Sequence, residues 1–489
     1  MKKIFLATLF IIFSLFSKAV SKPNFIIIYL DDMGYSDVGL YKNEELKTPN
    51  IDKLSSEGQT WTNFYATSSV CTPSRAGLLT GRLPVRNGLY GDQIAVFFPG
   101  SNKGIPVKEV TIAEALQKDG YATGIFGKWH LGDKEEFLPT RHGFDEWFGI
   151  PYSNDMDWKV GEIDLQFLFK NPSKAQALYQ EIVPAITEKI YNPMIEDWNV
   201  PLQRSKKARL NNYIDELVER PTNQNTITKR FTEETIDFIE KHGKKGKQFF
   251  AFLSHSMPHV PLFTSKEFID KTRLGRYADV LSEIDWSVGR VLNKIKEMGI
   301  DDNTYIIFTS DNGPWLLYPG ESGTAKPLRN GKGTTFEGGM RVMTIFSGPE
   351  IKSGVVEDLG SQTDFFKTII SLAKSKYTYN PEDSYDLSGT LKGKISSPRD
   401  YIPYYVGSEL RAFRYNDYKI HFITAGAYGL EPIRQEHDTP ILYNLKKDIS
   451  EGRPIEDEKT LNEIANEAKE FLDGVTVQES ILDIQFSVN

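Results

Sequence analysis

A few short stretches of this chain carry side chains that could do chemistry together. Asp31-Asp32 ends one apolar run, and Ser310-Asp311-Asn312-Gly313 ends another. Carboxylates and a carboxamide of this kind offer the hard oxygen ligands that Ca2+ or Mg2+ takes. Either pair alone is weak evidence, since most such pairs are turns or helix caps. Gly127-Lys128-Trp129-His130-Leu131-Gly132 places a cation close to an imidazole, and Pro258-His259-Val260-Pro261 holds a second imidazole between prolines. His255, just upstream, competes with His259. Lys332 lies in a glycine-rich run, Leu328-Arg-Asn-Gly-Lys332-Gly-Thr-Thr-Phe-Glu-Gly-Gly. Taken singly, such a lysine is a solvated turn residue and such a histidine a satisfied one.

Cys71 opens the run Cys71-Thr-Pro-Ser-Arg75-Ala-Gly-Leu-Leu-Thr-Gly-Arg82 and is the only cysteine among 489 residues. Lys2 and Lys3, the apolar run from Ile4 to Phe16, and the small residues Ala19 and Ser21 read as a secretory signal over residues 1–21. That run falls short of the ~20 apolar residues of a membrane span, and no second candidate follows. The mature chain is therefore expected to be exported, periplasmic or secreted, with no membrane contact. Exported proteins use cysteines in pairs, so a lone one is buried and inert, paired between chains, or chemically special. A formal net charge of −8 without a basic run argues against a nucleic-acid partner. An anionic substrate would have to be drawn by a local cluster of cations, not by the overall field.

The elements that must position these residues alternate. Strand-like apolar runs from Asn24, Ala122, Gln248 and Thr304 interleave with helical patterns near Ile51, Val110, Thr232 and Tyr277. This predicts an α/β fold, a large domain with a mostly parallel central sheet flanked by helices. From about residue 395 strand-like segments follow one another without long helices and end in one helix, which predicts a small C-terminal antiparallel sheet. The expected division is a signal over 1–21, a catalytic domain over 22–394 and a subdomain over 395–489. The segment from Trp158 to Asn225 reads as a polar, helix-prone insertion near the site. Asp31, Lys128, His259 and Asp311 each come just after the C-terminal end of an expected strand, the edge where open α/β sheets bind ligands.

The run from Cys71 to Arg82 resembles the signature of the sulfatases, formylglycine-dependent enzymes of the alkaline-phosphatase-like superfamily: Cys-x-Pro-x-Arg, then small residues ending in Thr-Gly-Arg. The Gly127 to Gly132 hexamer, the His-x-Pro element at His259 and the Gly-Lys-Gly segment at Lys332 resemble the same family. Gly149-Ile-Pro-Tyr-Ser153-Asn154-Asp155 is similar to its arylsulfatase A and N-acetylgalactosamine-6-sulfatase branch, with Asn154 where arylsulfatase A has His. The resemblance spans nearly the whole chain, thins between Trp158 and Asn225, and lacks the paired cysteines of the animal members.

This resemblance implies that a maturation enzyme oxidises Cys71 to formylglycine, whose hydrate attacks sulfur. It implies one calcium ion on Asp31, Asp32, Asp311, Asn312 and the modified Cys71. Arg75, Lys128 and Lys332 would bind sulfate. His259 would protonate the leaving oxygen, and His130 would act as base for the release of sulfate. A second hydroxyl on the nucleophile lets sulfate be expelled, where a serine would be left as a stable ester. Ser153, Asn154, His255 and Trp315 are expected to face the substrate; Trp315 and Trp158 could stack on sugar rings, although tryptophans are more often core. The expected activity is hydrolysis of sulfate esters on a polysaccharide or oligosaccharide, either algal, such as ulvan or carrageenan, or a glycosaminoglycan. Its rivals are a phosphatase or phosphonate hydrolase of the same superfamily, with a second metal, and a non-catalytic glycan-binding relative, which would not need Cys71 or His130.

Overall fold

The first strand, β1 (Asn24–Leu30), reads NFIIIYL and is buried at every position, as a parallel strand covered on both faces must be. Its side chains alternate between two cores. Ile26, Ile28 and Leu30 pack with Phe238, Val288 and Val291, whereas Phe25, Ile27 and Tyr29 pack with Leu78, Leu116 and Phe365. Helices Ile227–Gly243 and Arg276–Glu297 thus cover one face, and Cys71–Thr80, Ile112–Lys118 and Asp364–Leu372 the other. The computed structural model describes residues 22–38, 45–160, 163–164, 168, 172–208 and 212–487. The expected signal over 1–21 lies outside them.

The remaining strands of the large domain are β2 (Gln59–Tyr65), β3 (Ala122–Gly127), β4 (Glu146–Gly149), β5 (Lys159–Val160), β6 (Ile163–Asp164), β7 (Leu202–Lys207), β8 (Tyr213–Glu219), β9 (Phe249–Ser254), β10 (Thr304–Ser310), β11 (Thr344–Ser347) and β12 (Gly354–Ser361). With β1, nine of them form one ten-stranded sheet, in the order β12-β2-β11-β10-β1-β9-β3-β4-β7-β8, and β5 with β6 makes a separate ribbon. The central strands β10-β1-β9-β3-β4 are all parallel. Within this sheet β11 and β7 run against the rest.

The four central strands visible as apolar runs are where the sequence places them. The outer strands are not visible in that way. β8 (YIDELVE), the edge strand, is largely exposed, and β7 (LQRSKK) beside it is polar and half-buried, as strands at a sheet edge tend to be. The segment from Trp158 to Asn225 is therefore more than a helical insertion: it contains the helix Pro172–Tyr191 and also the hairpin that extends the sheet beyond β4.

Beyond the large sheet, β13 (Tyr401–Val406), β14 (Glu409–Tyr415), β15 (Tyr418–Thr424) and β16 (Gln435–Asn444) form an antiparallel sheet in sequential order. The helix Glu458–Asp473 lays Ile464 and Ala468 against Phe413, Ile420 and Leu442. Buried charge joins the two sheets. Glu337 Oε1 accepts from Lys419 Nζ of β15 at 2.9 Å and from the Tyr404 hydroxyl of β13 at 2.6 Å. Its Oε2 accepts from the Tyr65 hydroxyl of β2 at 2.6 Å and from Arg341 at 3.3 Å. Glu451 takes Lys419 and His421 on one oxygen, at 2.9 and 2.7 Å, and the Glu337 N–H on the other, at 2.7 Å.

Burial alone would raise the Glu337 pKa, but Lys419, then Arg341 and Arg414, hold it well below the usual carboxylate range. A depressed folded-state pKa stabilises the fold above the unfolded value of ~4.3, and that stability is lost as pH falls through the folded one. Thermal stability should accordingly hold near neutrality and decline below about pH 4.5. Glu337→Gln takes the carboxylate from Arg341 and Arg414 and leaves Lys419 with Glu451 alone, and should cost about 3–5 kcal/mol at neutral pH, the scale for a broken buried pair. Urea unfolding of both proteins at pH 7 measures this; an unchanged midpoint would remove Glu337 as the joint between the sheets.

Candidate active site

Strand order brings the chemistry to one edge. Asp31 and Asp32 follow β1, Lys128 follows β3, His259 follows β9, and Asp311 and Asn312 follow β10, which are neighbours in the order β10-β1-β9-β3. Gly127 ends β3 at φ +124, and a Cβ there would lie 1.7 Å from the Ser254 carbonyl oxygen. Only glycine lets β3 end this close to β9. Cys71 is the first residue of the helix Cys71–Thr80, all of which is buried. Arg75 stands one turn further on, on the same face.

The side chains converge. Cys71 Sγ lies 3.4 Å from Asp31 Oδ1. Lys128 Nζ donates to Asp31 Oδ2 at 2.6 Å and to Ser153 Oγ at 2.5 Å. Lys332 Nζ donates to Asp32 Oδ2 at 2.8 Å, with His259 Nε2 3.5 Å from the same oxygen. Arg75 reaches Asp311 Oδ2 through Nε at 3.1 Å and Nη2 at 2.8 Å, and its Nη1 donates to Ser254 Oγ and the Lys128 carbonyl. Three carboxylates therefore face three cationic side chains. Lys332 uses one of its three N–H donors on Asp32, which leaves others for an anion.

Burial would raise the Asp31 pKa, yet Lys128, His259, Arg75 and Lys332 together hold it well below its usual value. Asp311 shows the opposite balance: burial, with Asp31 beside it, pushes it up to about 7 in spite of Arg75. Burial would lower the Lys332 pKa, but Asp32 keeps it above the ordinary lysine value. His130 is held well below its usual pKa by burial, then by Lys128 and Arg75, so it is neutral. Its Nε2 meets the Phe97 carbonyl at 2.9 Å, and a carbonyl can only accept, so the proton sits on Nε2. Nδ1, buried and without a partner among the described residues, then carries the free lone pair. His259 is fixed the other way round: Nδ1–H donates to the Val260 carbonyl at 2.5 Å, and Nε2 faces Asp32.

Not every expected residue meets this cluster. His255 bonds Ser287 of the helix Arg276–Glu297 at 3.0 Å, and burial pushes its pKa down to about 3. Asn154 donates to Gln224 and to the Pro261 carbonyl, each at 3.0 Å, and so ties its loop to the segment carrying His259. Trp158 is core, packed with Ile182 and Trp198. Trp315 is at the site: its ring lies 5.4 Å from the His259 ring and 4.7 Å from Lys332 Nζ. The sequence reading missed Ser254, which holds Arg75, and Ser74 and Gln362, which donate to the Asp311 and Ser310 carbonyls at 2.5 and 2.6 Å. A serine ending a strand carries no signal of its own.

The donor set suits one hard cation. Ligand atoms of Asp31, Asp32, Cys71 and His259 lie within 4.8 Å of one another. Asn312 Oδ1 is buried with no hydrogen-bond partner among the described residues, an omission a cation would explain. Asp311 keeps Oδ1 on the Asp32 N–H, at 3.2 Å, beside the same cluster.

Comparison with known proteins agrees with this geometry. The family model Sulfatase matches residues 23–375, and the C-terminal region of aryl-sulfatase matches 397–486. Arylsulfatase A of Bos taurus is 35% identical over 470 residues, covering 92% of this chain and 86% of its own. N-acetylgalactosamine-6-sulfatase of Mus musculus is 35% identical over 466 residues, covering 89% and 82%. The PsFucS1 sulfatase structure from Pseudoalteromonas sp. superposes with a TM-score of 0.77 and 28% identity, covering 96% of this chain and 93% of its own. With two lysines, an imidazole and a cysteine gathered on one carboxylate cluster, the chain belongs to the sulfatase family and is a sulfuric ester hydrolase.

Proposed function

We propose that this enzyme removes sulfate from a sulfated polysaccharide or oligosaccharide outside the cytoplasm, with Cys71 matured to formylglycine and one calcium ion at the carboxylates. The observation that carries the reading is Cys71 Sγ at 3.4 Å from Asp31, inside a pocket where two lysines and the His259 imidazole end. A relative named for a sulfated amino sugar supports a glycan substrate. The described residues offer one metal-competent cluster, which favours sulfate over the two-ion site of a phosphatase. The motif set also speaks against a mere glycan binder, which has no use for a neutral His130 with a free lone pair.

Formylglycine at position 71 would supply the oxygen that attacks sulfur, and calcium on Asp31, Asp32, Asp311 and Asn312 would offset charge there. The chain does the rest. Lys128 and Lys332 orient the sulfate and meet the charge that grows on its oxygens, while Arg75 fixes Asp311 from behind and adds its charge. Ser153 holds Lys128 in place. His259 gives the leaving oxygen a proton from Nε2, its ring anchored at Nδ1 on Val260. His130 accepts a proton at Nδ1, which its bond to Phe97 leaves open.

These roles separate experimentally. Peptide mass spectrometry of active enzyme should find formylglycine at position 71, and Cys71→Ala should abolish sulfate release while the protein still melts cooperatively. Unmodified thiol in fully active enzyme would contradict the reading. A sugar alkoxide leaves poorly without a proton, whereas nitrophenolate hardly needs one. His259→Ala should thus slow a sulfated oligosaccharide about 10²- to 10⁴-fold and nitrophenyl sulfate far less. His130→Ala should slow both substrates alike; equal losses for His259→Ala would remove His259 as the acid.

Metal binding has a readout free of activity. Chelation should lower the melting temperature, and calcium at about 100 times its Kd should restore about 2.7 kcal/mol. Asp32→Asn should weaken that response, and a melting temperature indifferent to calcium would rule the ion out.

A further inference from the structure

Beside the catalytic cluster lies a cavity of about 180 Å³, between loops of the large domain and the C-terminal sheet. Ser69 and Val70, which lead into Cys71, form part of its wall, as does Gly333, which follows Lys332. The Gly333 N–H donates to the Ser69 carbonyl at 2.8 Å, closing that wall. Tyr90, Tyr405 and Tyr428 also line the cavity. Tyr428 borders in addition a smaller cavity shared with Trp315 and Lys332. Its ring is 5.2 Å from the Trp315 ring, which in turn packs on His259. Tyr428 therefore stands between the cavity and the groups that handle the sulfate and its leaving oxygen.

Tyr428 is unusual in two ways. It is a large aromatic left 42% exposed, and it holds φ at +56. A bulky residue in the left-handed region is a genuine outlier, and such strain persists where the surroundings over-determine it. Gly333 faces it: a Cβ at position 333 would come within 2.9 Å of the Tyr428 ring. The backbone beside Lys332 thus makes room for this ring.

We propose that the cavity is the subsite for the sugar unit next to the sulfate-bearing one, with Tyr428 as its specificity-determining wall. This inference rests on the sulfated-glycan reading above. Tyrosine rings pair an apolar face with a polar tip, which suits the C–H face and hydroxyl rim of a pyranose. The volume is below the ~300–1,000 Å³ of a pocket for a drug-sized ligand, so it takes one ring. Among the described residues no lysine, arginine or carboxylate lines it. Its occupant is therefore a neutral sugar, neither sulfated nor a uronic acid.

Sulfate release by the unaltered enzyme is first measured on three probes: a sulfated monosaccharide, and trisaccharides in which the neighbouring unit is either neutral or a uronic acid. The neutral-neighbour trisaccharide should have the highest kcat/KM. Tyr428→Ala, and Ala95→Trp, which fills the cavity from an exposed position on its wall, should each reduce the preference for that trisaccharide over the monosaccharide about tenfold, the scale of one aromatic contact. The loss should appear in KM, and Tyr428→Phe should keep most of the preference. Equal losses on both probes, no loss, or a uronic-acid trisaccharide turned over best would overturn the subsite while leaving the sulfatase reading intact. Release from none of the probes would overturn the glycan reading and the subsite with it.

Discussion

Three carboxylates buried in one pocket set the terms for everything around them. Asp31, Asp32 and Asp311 are each no more than 3% exposed, and a buried carboxylate stays ionised only where counter-charge and hydrogen bonds replace water. Lys128, Lys332 and Arg75 supply that counter-charge from three separate elements: the end of β3, the segment after β10 and the helix that begins at Cys71. None of these elements can shift without exposing an uncompensated charge. The pocket is rigid for the same reason that it is expensive, and a rigid array of charge is what a sulfate in transition requires.

The C-terminal sheet belongs to this scheme. The segment carrying Lys332 folds back on the loop after β10, with its N–H on the Pro314 carbonyl at 2.9 Å. Glu337, at the end of that segment, is locked to β13 and β15 by Tyr404 and Lys419, and the Glu451 carbonyl receives Arg329 at 3.0 Å. The second buried charge network thus holds the far end of the first. A small sheet that looks like an appendage in the chain order fixes Lys332, one of the two lysines proposed to meet the substrate.

Much of this was legible in the sequence because local chemistry was repeated there. β1, β3, β9 and β10 are buried on both faces, so they read as apolar runs, and the residues after them fell at the ligand-binding edge. Cys71, Lys128, His130, His259 and Lys332 stood in motifs long enough to resist a bland reading. The outer strands did not show, since β8 at the sheet edge and β7 next to it are polar. The bond of His255 to Ser287 on another element left no trace in the sequence, where this histidine looks the same as one that faces a substrate. Glu337, Lys419 and Glu451 carried no local pattern at all; their meaning lies in pairing across 82 and 114 residues of sequence. Tyr428 was equally silent, since its backbone conformation and its place beside Trp315 exist only in three dimensions.

The account stands on attack at sulfur, with Lys128, Lys332 and Arg75 assigned to the sulfate and not to the sugar carbon. Turnover in water enriched in oxygen-18 tests this directly. The label should appear in the released sulfate, with the alcohol retaining its original oxygen. Label in the alcohol would mean that the carbon–oxygen bond breaks, and would contradict the mechanism the geometry supports.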